Sequence, residues 1–247
     1  MHLPCFSVFV GCAAALQPLP PVQWTTNDAS ASGGFSLKDA PRTIYLQRAF
    51  ANTSDTEGLT LIPPTAHQFA QTFSKDLSQL FGGNWTVQLV NTAPKIGIYL
   101  EKFTGDASQL TYENGVATEE GYEMKVDGGL VSIGGSGARG LFWGTRTLLQ
   151  QLLIANGEPV PSGTTIEAPA YATRGYMLDA GRKWYTADFL KELCTYASFF
   201  KMSEFHYHSS DNYPLNRGHN VGSPSRFTLS HLQIFEKHTN KAIGNVE

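Results

Sequence analysis

A strand–helix–strand pattern near the C-terminus constrains the fold of this chain more than any other feature. Apolar and aromatic residues favour a strand over Arg174–Gly181 and another over Glu204–Ser209. Between them, apolar residues recur at steps of three and four over Thr186–Phe200, which predicts a helix. A strand, a helix and a strand in this order form a βαβ unit, the building block of parallel sheets and (β/α) barrels.

The first two thirds of the chain favour a different, α+β arrangement. A helix is predicted over Thr65–Leu80, where apolar residues share one face and Thr65 and Gln68 have capping-box spacing. A second helix is predicted from about Ala138 to Ile154. Strand patterns lie at Thr43–Leu46, Trp85–Val90, Ile96–Leu100, Tyr122–Val126 and Leu130–Ile133. Because Gly128-Gly129 makes a hairpin turn between the last two, we expect a mostly antiparallel sheet packed by two helices.

Composition excludes some classes of partner. The 247 residues are 41% hydrophobic and 16% charged, enough to bury a core, and the length fits one large domain or two modest ones. A formal net charge of −3 gives no electrostatic reason to expect nucleic acid or an anionic membrane as a partner.

Residues 1–18 favour a cleaved secretory signal. Leu3–Leu16 is a nearly uninterrupted apolar run, too short to cross a bilayer as a helix, and it ends in small Ala residues of the kind a signal peptidase accepts. The alternative is a disordered apolar start, since no Lys or Arg precedes the run. We expect a secreted protein without a membrane span, with Asn52 and Asn84 in glycosylation sequons.

One cysteine remains once the signal is set aside. Cys194 lies within the apolar pattern of the third predicted helix. We therefore interpret it as a small buried hydrophobe and not as a nucleophile.

A glycine-rich motif at residues 135–140 has the form G-x-G-x-x-G, with a strand before it and a helix after it. In dinucleotide-binding proteins this arrangement places helix-terminal amides on a pyrophosphate. Here the incoming strand is a hairpin partner, and no strand ending in Asp or Glu follows at the distance needed to bind a ribose. We favour a flexible strand-to-helix turn over a dinucleotide site.

Two histidines alternate along the last predicted strand. His206 and His208 point to one face, with Asp211 just beyond the strand, so the three residues could begin a zinc or iron site. Nothing fixes further ligands, although His219 and His231 are available. We favour a polar strand end, and predict no metal.

Arg182 and Asp211 are the more informative pair. Each falls at the C-terminal end of a strand of the βαβ unit, where barrel active sites are assembled. A guanidinium suits sugar hydroxyls, and a carboxylate can hold a neighbouring imidazole. Surface charges at strand ends are the alternative, and Asp179 inside the first strand could pair with a buried Arg or Lys.

These segments resemble glycoside hydrolase family 20, the β-N-acetylhexosaminidases. Residues 174–182 read RGYMLDAGR, similar to the family pattern R-G-x-x-L-D-x-x-R in its first barrel strand. Residues 205–211 read FHYHSSD, similar to the family's F-H-x-H-x-S/T-D. Residues 138–152, ARGLFWGTRTLLQQL, resemble the last helix of its non-catalytic α+β domain. The resemblance covers about residues 20–220.

The resemblance implies a domain organisation and an activity. It implies a non-catalytic α+β domain at residues 19–168 and an incomplete (β/α)8 barrel at residues 169–247. The family removes terminal N-acetylhexosamine from glycans or chitin oligosaccharides, using the substrate's own acetamide as the nucleophile. Arg182 would then bind hydroxyls of the sugar, and Asp211 would serve catalysis by holding a His that tunes the general acid. No metal or organic cofactor is implied.

The chain also departs from the family pattern. Where the family has a second Asp and then Gln-Gly-Trp, residues 212–215 read NYPL. The catalytic Asp-Glu pair should follow the fourth barrel strand, yet the stretch from Ala170 to Glu247 is far shorter than the roughly 250 residues of a barrel. We expect that this chain alone does not hydrolyse an N-acetylglucosaminide. The alternative function is a non-catalytic secreted module that binds a glycan or a protein.

Overall fold

The computed structural model describes residues 17–26, 33–56, 62–181 and 183–208. Within these ranges the elements are, in chain order, β1 (Thr25–Thr26), β2 (Thr43–Gln47), α1 (Ala66–Phe81), β3 (Thr86–Val90), β4 (Gly97–Lys102), β5 (Tyr122–Asp127), β6 (Leu130–Gly135), α2 (Ala138–Ala155), β7 (Gly163–Glu167), β8 (Gly175–Asp179), α3 (Ala187–Phe199) and β9 (Glu204–His208). Of the helices in this described part, none is both long and apolar enough to cross a membrane.

Seven strands form one mixed sheet in the order β1-β7-β5-β6-β4-β2-β3. The pairs on the β1 side are antiparallel, whereas β6–β4, β4–β2 and β2–β3 are parallel. The α+β class and its two helices are confirmed, but the sheet is mixed where we expected it to be mostly antiparallel. For the β2–β3 pair the reason is that α1 connects the two strands, and a helical crossover returns the second strand in the same direction.

Helix α1 begins with the predicted capping box. The Thr65 hydroxyl accepts a hydrogen bond from the Gln68 amide at 3.2 Å, and the Gln68 side-chain oxygen accepts one from the Thr65 amide at 2.8 Å. The helix ends before Gly82, whose φ of 75° few other residues adopt readily. Its apolar face packs on the sheet and on α2, where the rings of Phe69 and Phe142 stack at 4.7 Å.

Helix α2 is the most buried of the three α-helices in the described part of the chain. Its 18 residues include 13 that are buried, so it is covered on nearly every side and not only on the single face predicted from its leucines. Even Arg146 is buried, where it pairs with Asp76 at 2.7 Å and lies over the ring of Phe142. The sheet and α1 cover two sides of α2, and the Gln150 side chain donates a hydrogen bond to the Phe199 carbonyl of α3 at 2.8 Å.

The predicted βαβ unit is confirmed. Strands β8 and β9 pair in parallel, and α3 packs on one face of them around Leu190, Cys194, Ala197 and Phe205. Burial raises the pKa of the Cys194 thiol to about 11, which agrees with a structural, unreactive cysteine.

Candidate active site

The C-terminal ends of β8 and β9 lie side by side. Asp179 is the register partner of His208, and the Ala180 amide just beyond β8 donates a hydrogen bond to the His208 carbonyl at 2.8 Å. The Asp179 carboxylate accepts a hydrogen bond from the Gly181 amide at 2.9 Å, which fixes the start of the following turn. Both predicted site residues lie outside the described residues: Arg182 follows Asp179 by three positions, and Asp211 follows His208 by three.

The face of β8 and β9 opposite α3 carries the polar side chains of this site. His206 and His208 share that face, as their alternation predicted, with ring centroids 6.4 Å apart. Met177, the register partner of His206, is 61% exposed beside them. Among the described residues, no group of three His, Cys, Asp or Glu side chains could hold a metal ion. The polar strand end without a metal stays a prediction, since Asp211, His219 and His231 lie outside the described residues.

The glycine-rich motif is a closely packed turn whose helix N-terminus is already occupied. The Asp55 carboxylate accepts hydrogen bonds from the Ala138 and Arg139 amides at 2.6 and 2.9 Å, where a phosphate would lie in a dinucleotide site. A Cβ on Gly137 would lie 2.5 Å from the Asp55 carboxylate, and a Cβ on Gly140 would lie 2.0 Å from the Gly121 carbonyl oxygen. The glycines thus permit close backbone packing, and the turn is less flexible than we expected.

A buried polar cluster joins this turn to the start of β8. We call it the Glu120 cluster; its members are Asp55, Tyr112, Glu120, Arg139, Trp143 and Arg174. The Glu120 side chain is fully buried, and both of its oxygens accept hydrogen bonds from donors on other segments. Burial raises the pKa of the Asp55 carboxyl, while the adjacent Arg139 opposes that shift.

Sequence reasoning missed this cluster, although Arg174 is part of the family motif. Its members come from four segments that are far apart in sequence, so no local spacing reveals the whole cluster. The only sequence signal is Arg174 itself, a charged residue directly before an apolar strand.

A second polar contact joins the two parts of the chain nearby. Lys201 donates a hydrogen bond to the Tyr122 hydroxyl at 2.9 Å, and that hydroxyl lies 2.7 Å from the Thr147 hydroxyl of α2. Burial lowers the pKa of the Lys201 ammonium from 10.5 to about 8. The first barrel unit is therefore attached to the α+β part through polar groups that water does not reach.

Two family models match the chain, one after the other. Residues 27–167 match glycosyl hydrolase family 20, domain 2, and this match covers more than half of the chain. The chain belongs to glycosyl hydrolase family 20. Residues 171–217 match the family 20 catalytic domain, and this range includes Arg182 and Asp211. The family and the fold class, an α+β domain followed by an incomplete (β/α)8 barrel, are confirmed; the division between residues 168 and 169 and the roles of Arg182 and Asp211 stay predictions.

Curated family 20 proteins are similar in sequence. A β-hexosaminidase of Porphyromonas gingivalis is 36% identical over 103 residues, which are 38% of this chain and 13% of that protein. A chitooligosaccharidolytic β-N-acetylglucosaminidase of Bombyx mori is 27% identical over 189 residues, 73% of this chain and 29% of its own length. The chain thus spans less than a third of either relative.

Solved family 20 structures share the fold. The β-N-acetylhexosaminidase of Streptomyces coelicolor matches with a TM-score of 0.54 at 21% identity, over 77% of this chain and 34% of that one. The exo-β-N-acetylglucosaminidase of Vibrio harveyi, solved with N-acetylglucosamine, matches with a TM-score of 0.56 at 19% identity. The match covers 79% of this chain and 26% of that one.

Proposed function

We propose that this chain forms the α+β domain and the first barrel units of a β-N-acetylhexosaminidase that removes terminal N-acetylhexosamine from glycans or chitin oligosaccharides. Membership of family 20 supports this proposal, as does the similarity to the chitooligosaccharidolytic β-N-acetylglucosaminidase of Bombyx mori. The observation that carries the proposal is the parallel register of β8 and β9, in which Asp179 pairs with His208. Arg182 follows Asp179 by three residues, and Asp211 follows His208 by three residues.

In the proposed mechanism, Arg182 and Asp211 have separate roles. Arg182 donates hydrogen bonds to hydroxyls of the terminal sugar, for which a rigid guanidinium is suited. Asp211 holds a His that tunes the general acid. The acetamide oxygen of the substrate attacks the anomeric carbon, an Asp orients that acetamide, and an adjacent Glu protonates the leaving oxygen.

The 247 residues contain no Asp followed directly by Glu. These residues therefore do not supply the Asp-Glu pair that the proposed mechanism uses to orient the acetamide and protonate the leaving group. We accordingly propose that the 247-residue chain by itself does not hydrolyse an N-acetylglucosaminide.

Secretion and glycosylation are part of the same proposal. Residues 1–18 have the pattern of a cleaved signal, and a hexosaminidase acting on extracellular glycans requires export. Asn52 and Asn84 are both exposed, so each sequon offers an accessible acceptor amide.

The test compares two proteins on 4-methylumbelliferyl N-acetyl-β-D-glucosaminide: the 247-residue chain and the full-length product of the gene that carries it. We expect turnover by the full-length product, none by the chain alone, and a KM raised at least tenfold by Arg182→Ala in the full-length product. Arg48→Ala is the matched control, since Arg48 donates hydrogen bonds to Asn91 and Leu89, which are far from β8 in the sequence.

A folded full-length product without turnover would overturn the proposed activity. Turnover by the chain alone would overturn the proposed role of the missing pair. Saturable glycan binding without hydrolysis by both would favour the non-catalytic module.

A further inference from the structure

The guanidinium of Arg174 binds three separate segments at once. One terminal nitrogen donates to the Glu120 carboxylate, and the other donates to the Tyr171 carbonyl at 2.6 Å. Its Nε donates to the Lys201 carbonyl at 3.0 Å, in the turn between α3 and β9. The group also lies over the ring of Trp143, 5.6 Å from the centroid. Arg174 therefore connects the α+β domain, the linker before β8 and the turn before β9.

Glu120 is held so firmly that it can act as a fixed anchor. One carboxylate oxygen accepts from the Tyr112 hydroxyl at 3.0 Å and from Arg139 at 3.3 Å; the other accepts from the Trp143 indole at 2.9 Å and from Arg174. A fully buried carboxylate with all these donors has no alternative position that satisfies them.

The backbone of Arg174 also sets the starting point of the second barrel strand. The amides of Ser203 and Glu204 both donate to the Arg174 carbonyl, at 2.7 and 3.2 Å, and the Arg174 amide donates to the Ser203 hydroxyl at 3.0 Å. Strands β8 and β9 thus start together at the residue that Glu120 anchors.

We propose that Arg174 is a positioning residue, through which Glu120 of the α+β domain fixes β8 and β9 and thereby the sugar-binding Arg182. The last step of this inference depends on the proposed function. Five residues of β8 span about 16 Å at ~3.3 Å per residue. A tilt of about 4° at Arg174 would move the far end by about 1 Å, and a displacement of about that size can cost on the order of 100-fold in rate.

The first test needs no activity. Amide hydrogen exchange is measured on the 247-residue chain, its Arg174→Lys and Glu120→Gln variants, and the Arg48→Lys control. Lysine keeps a charge for Glu120 but cannot also reach the two carbonyls, because it lacks the planar fork of donors. We expect β8 and β9 amides to exchange at least tenfold faster in both cluster variants, with β5 and β6 within twofold of wild type and no change in the control. Unchanged exchange in β8 and β9, or equal acceleration in all four strands, would overturn the proposal.

The second test is a double-mutant cycle in the full-length product, assayed below the unfolding midpoint of every variant. In the wild-type background, Arg174→Lys should raise KM at least tenfold without changing the pH profile. In the Arg182→Ala background, Arg174→Lys should change KM less than twofold. Equal effects in the two backgrounds would show that Arg174 does not act through Arg182. If the full-length product has no turnover, the proposed function fails, while hydrogen exchange still decides whether Glu120 fixes the two strands.

Discussion

Replacing Lys201 with Met should stabilise the protein at neutral pH. Lys201 follows α3 with a φ of 60°, at a position where helix ends favour Gly. The Lys201 and Met202 amides donate to the carbonyls of Ser198 and Ala197, so the helix ends in a Schellman motif. The side chain is 8% exposed and reaches the Tyr122 hydroxyl at 2.9 Å. Lys201→Met keeps an unbranched side chain that is one heavy atom shorter, and it removes the charge.

The magnitude follows from the pKa of the ammonium. Burial lowers the pKa of Lys201 from 10.5 to about 8, a difference that corresponds to about 3 kcal/mol. Below pH 8 both the folded and the unfolded chain hold the proton, so the full cost of burying the charge is present. Between pH 8 and 10.5 the unfolded chain holds a proton that the folded chain has released, so stability rises with pH.

At pH 7, Lys201→Met should therefore gain about 3 kcal/mol and lose about 1 kcal/mol for the hydrogen bond to Tyr122, a net stabilisation of about 2 kcal/mol. At pH 9.5 most of this stabilisation relative to wild type should be lost. The assay is urea unfolding of wild type and variant at both pH values, with exposed Lys125→Met as the control for removing a lysine. A free-energy difference between Lys201→Met and wild type that is the same at pH 7 and pH 9.5 would refute the reasoning.

Two further predictions concern the glycine-rich turn, and urea unfolding measures both. Gly140→Ala should cost several kcal/mol, about 3 or more, because its Cβ would lie 2.0 Å from the Gly121 carbonyl oxygen and backbone must move. Gly33→Ala, with nothing within 4 Å of its Cβ, is the control, and equal stability of the two variants would contradict close packing at Gly140. Asp55→Ala should cost about 3 kcal/mol because it leaves the Arg139 Nε and two helix amides without their acceptor. Wild-type stability of Asp55→Ala would show that the carboxylate does not cap α2.

Elements with a complete local signal were predicted within a few residues. The capping box of α1 needs only Thr65 and Gln68, three positions apart, and the structure contains both of its hydrogen bonds. The β5–β6 hairpin needs only two glycines, and Gly128 and Gly129 have φ values of 57° and 81°. Short edge strand β1 was missed because two residues carry no periodic pattern.

The candidate site could be predicted only in part, because its supporting contacts are not local. A G-x-G-x-x-G motif has the same letters whether its helix N-terminus binds a phosphate or the carboxylate of Asp55, which lies more than eighty positions earlier. Likewise, nothing near Glu120 indicates that its partner is Arg174. Only the folded chain brings such pairs together. Sequence spacing therefore predicted residues at the ends of the two strands, but not the distant residues that hold those strands in place.

The charge balance of the Glu120 cluster explains why it favours one arrangement of the two parts of the chain. Two buried carboxylates, Asp55 and Glu120, face two partly buried guanidiniums, Arg139 and Arg174, so the four charges cancel. Such a cluster adds little net stability, because desolvation offsets the attraction, but removing one member leaves an uncompensated buried charge. If the start of β8 moved away, Glu120 would lose Arg174 and keep a single guanidinium. Any arrangement that separates Glu120 from Arg174 is therefore costly. That cost, and not the strength of the native contact, determines where β8 and β9 lie relative to the α+β domain.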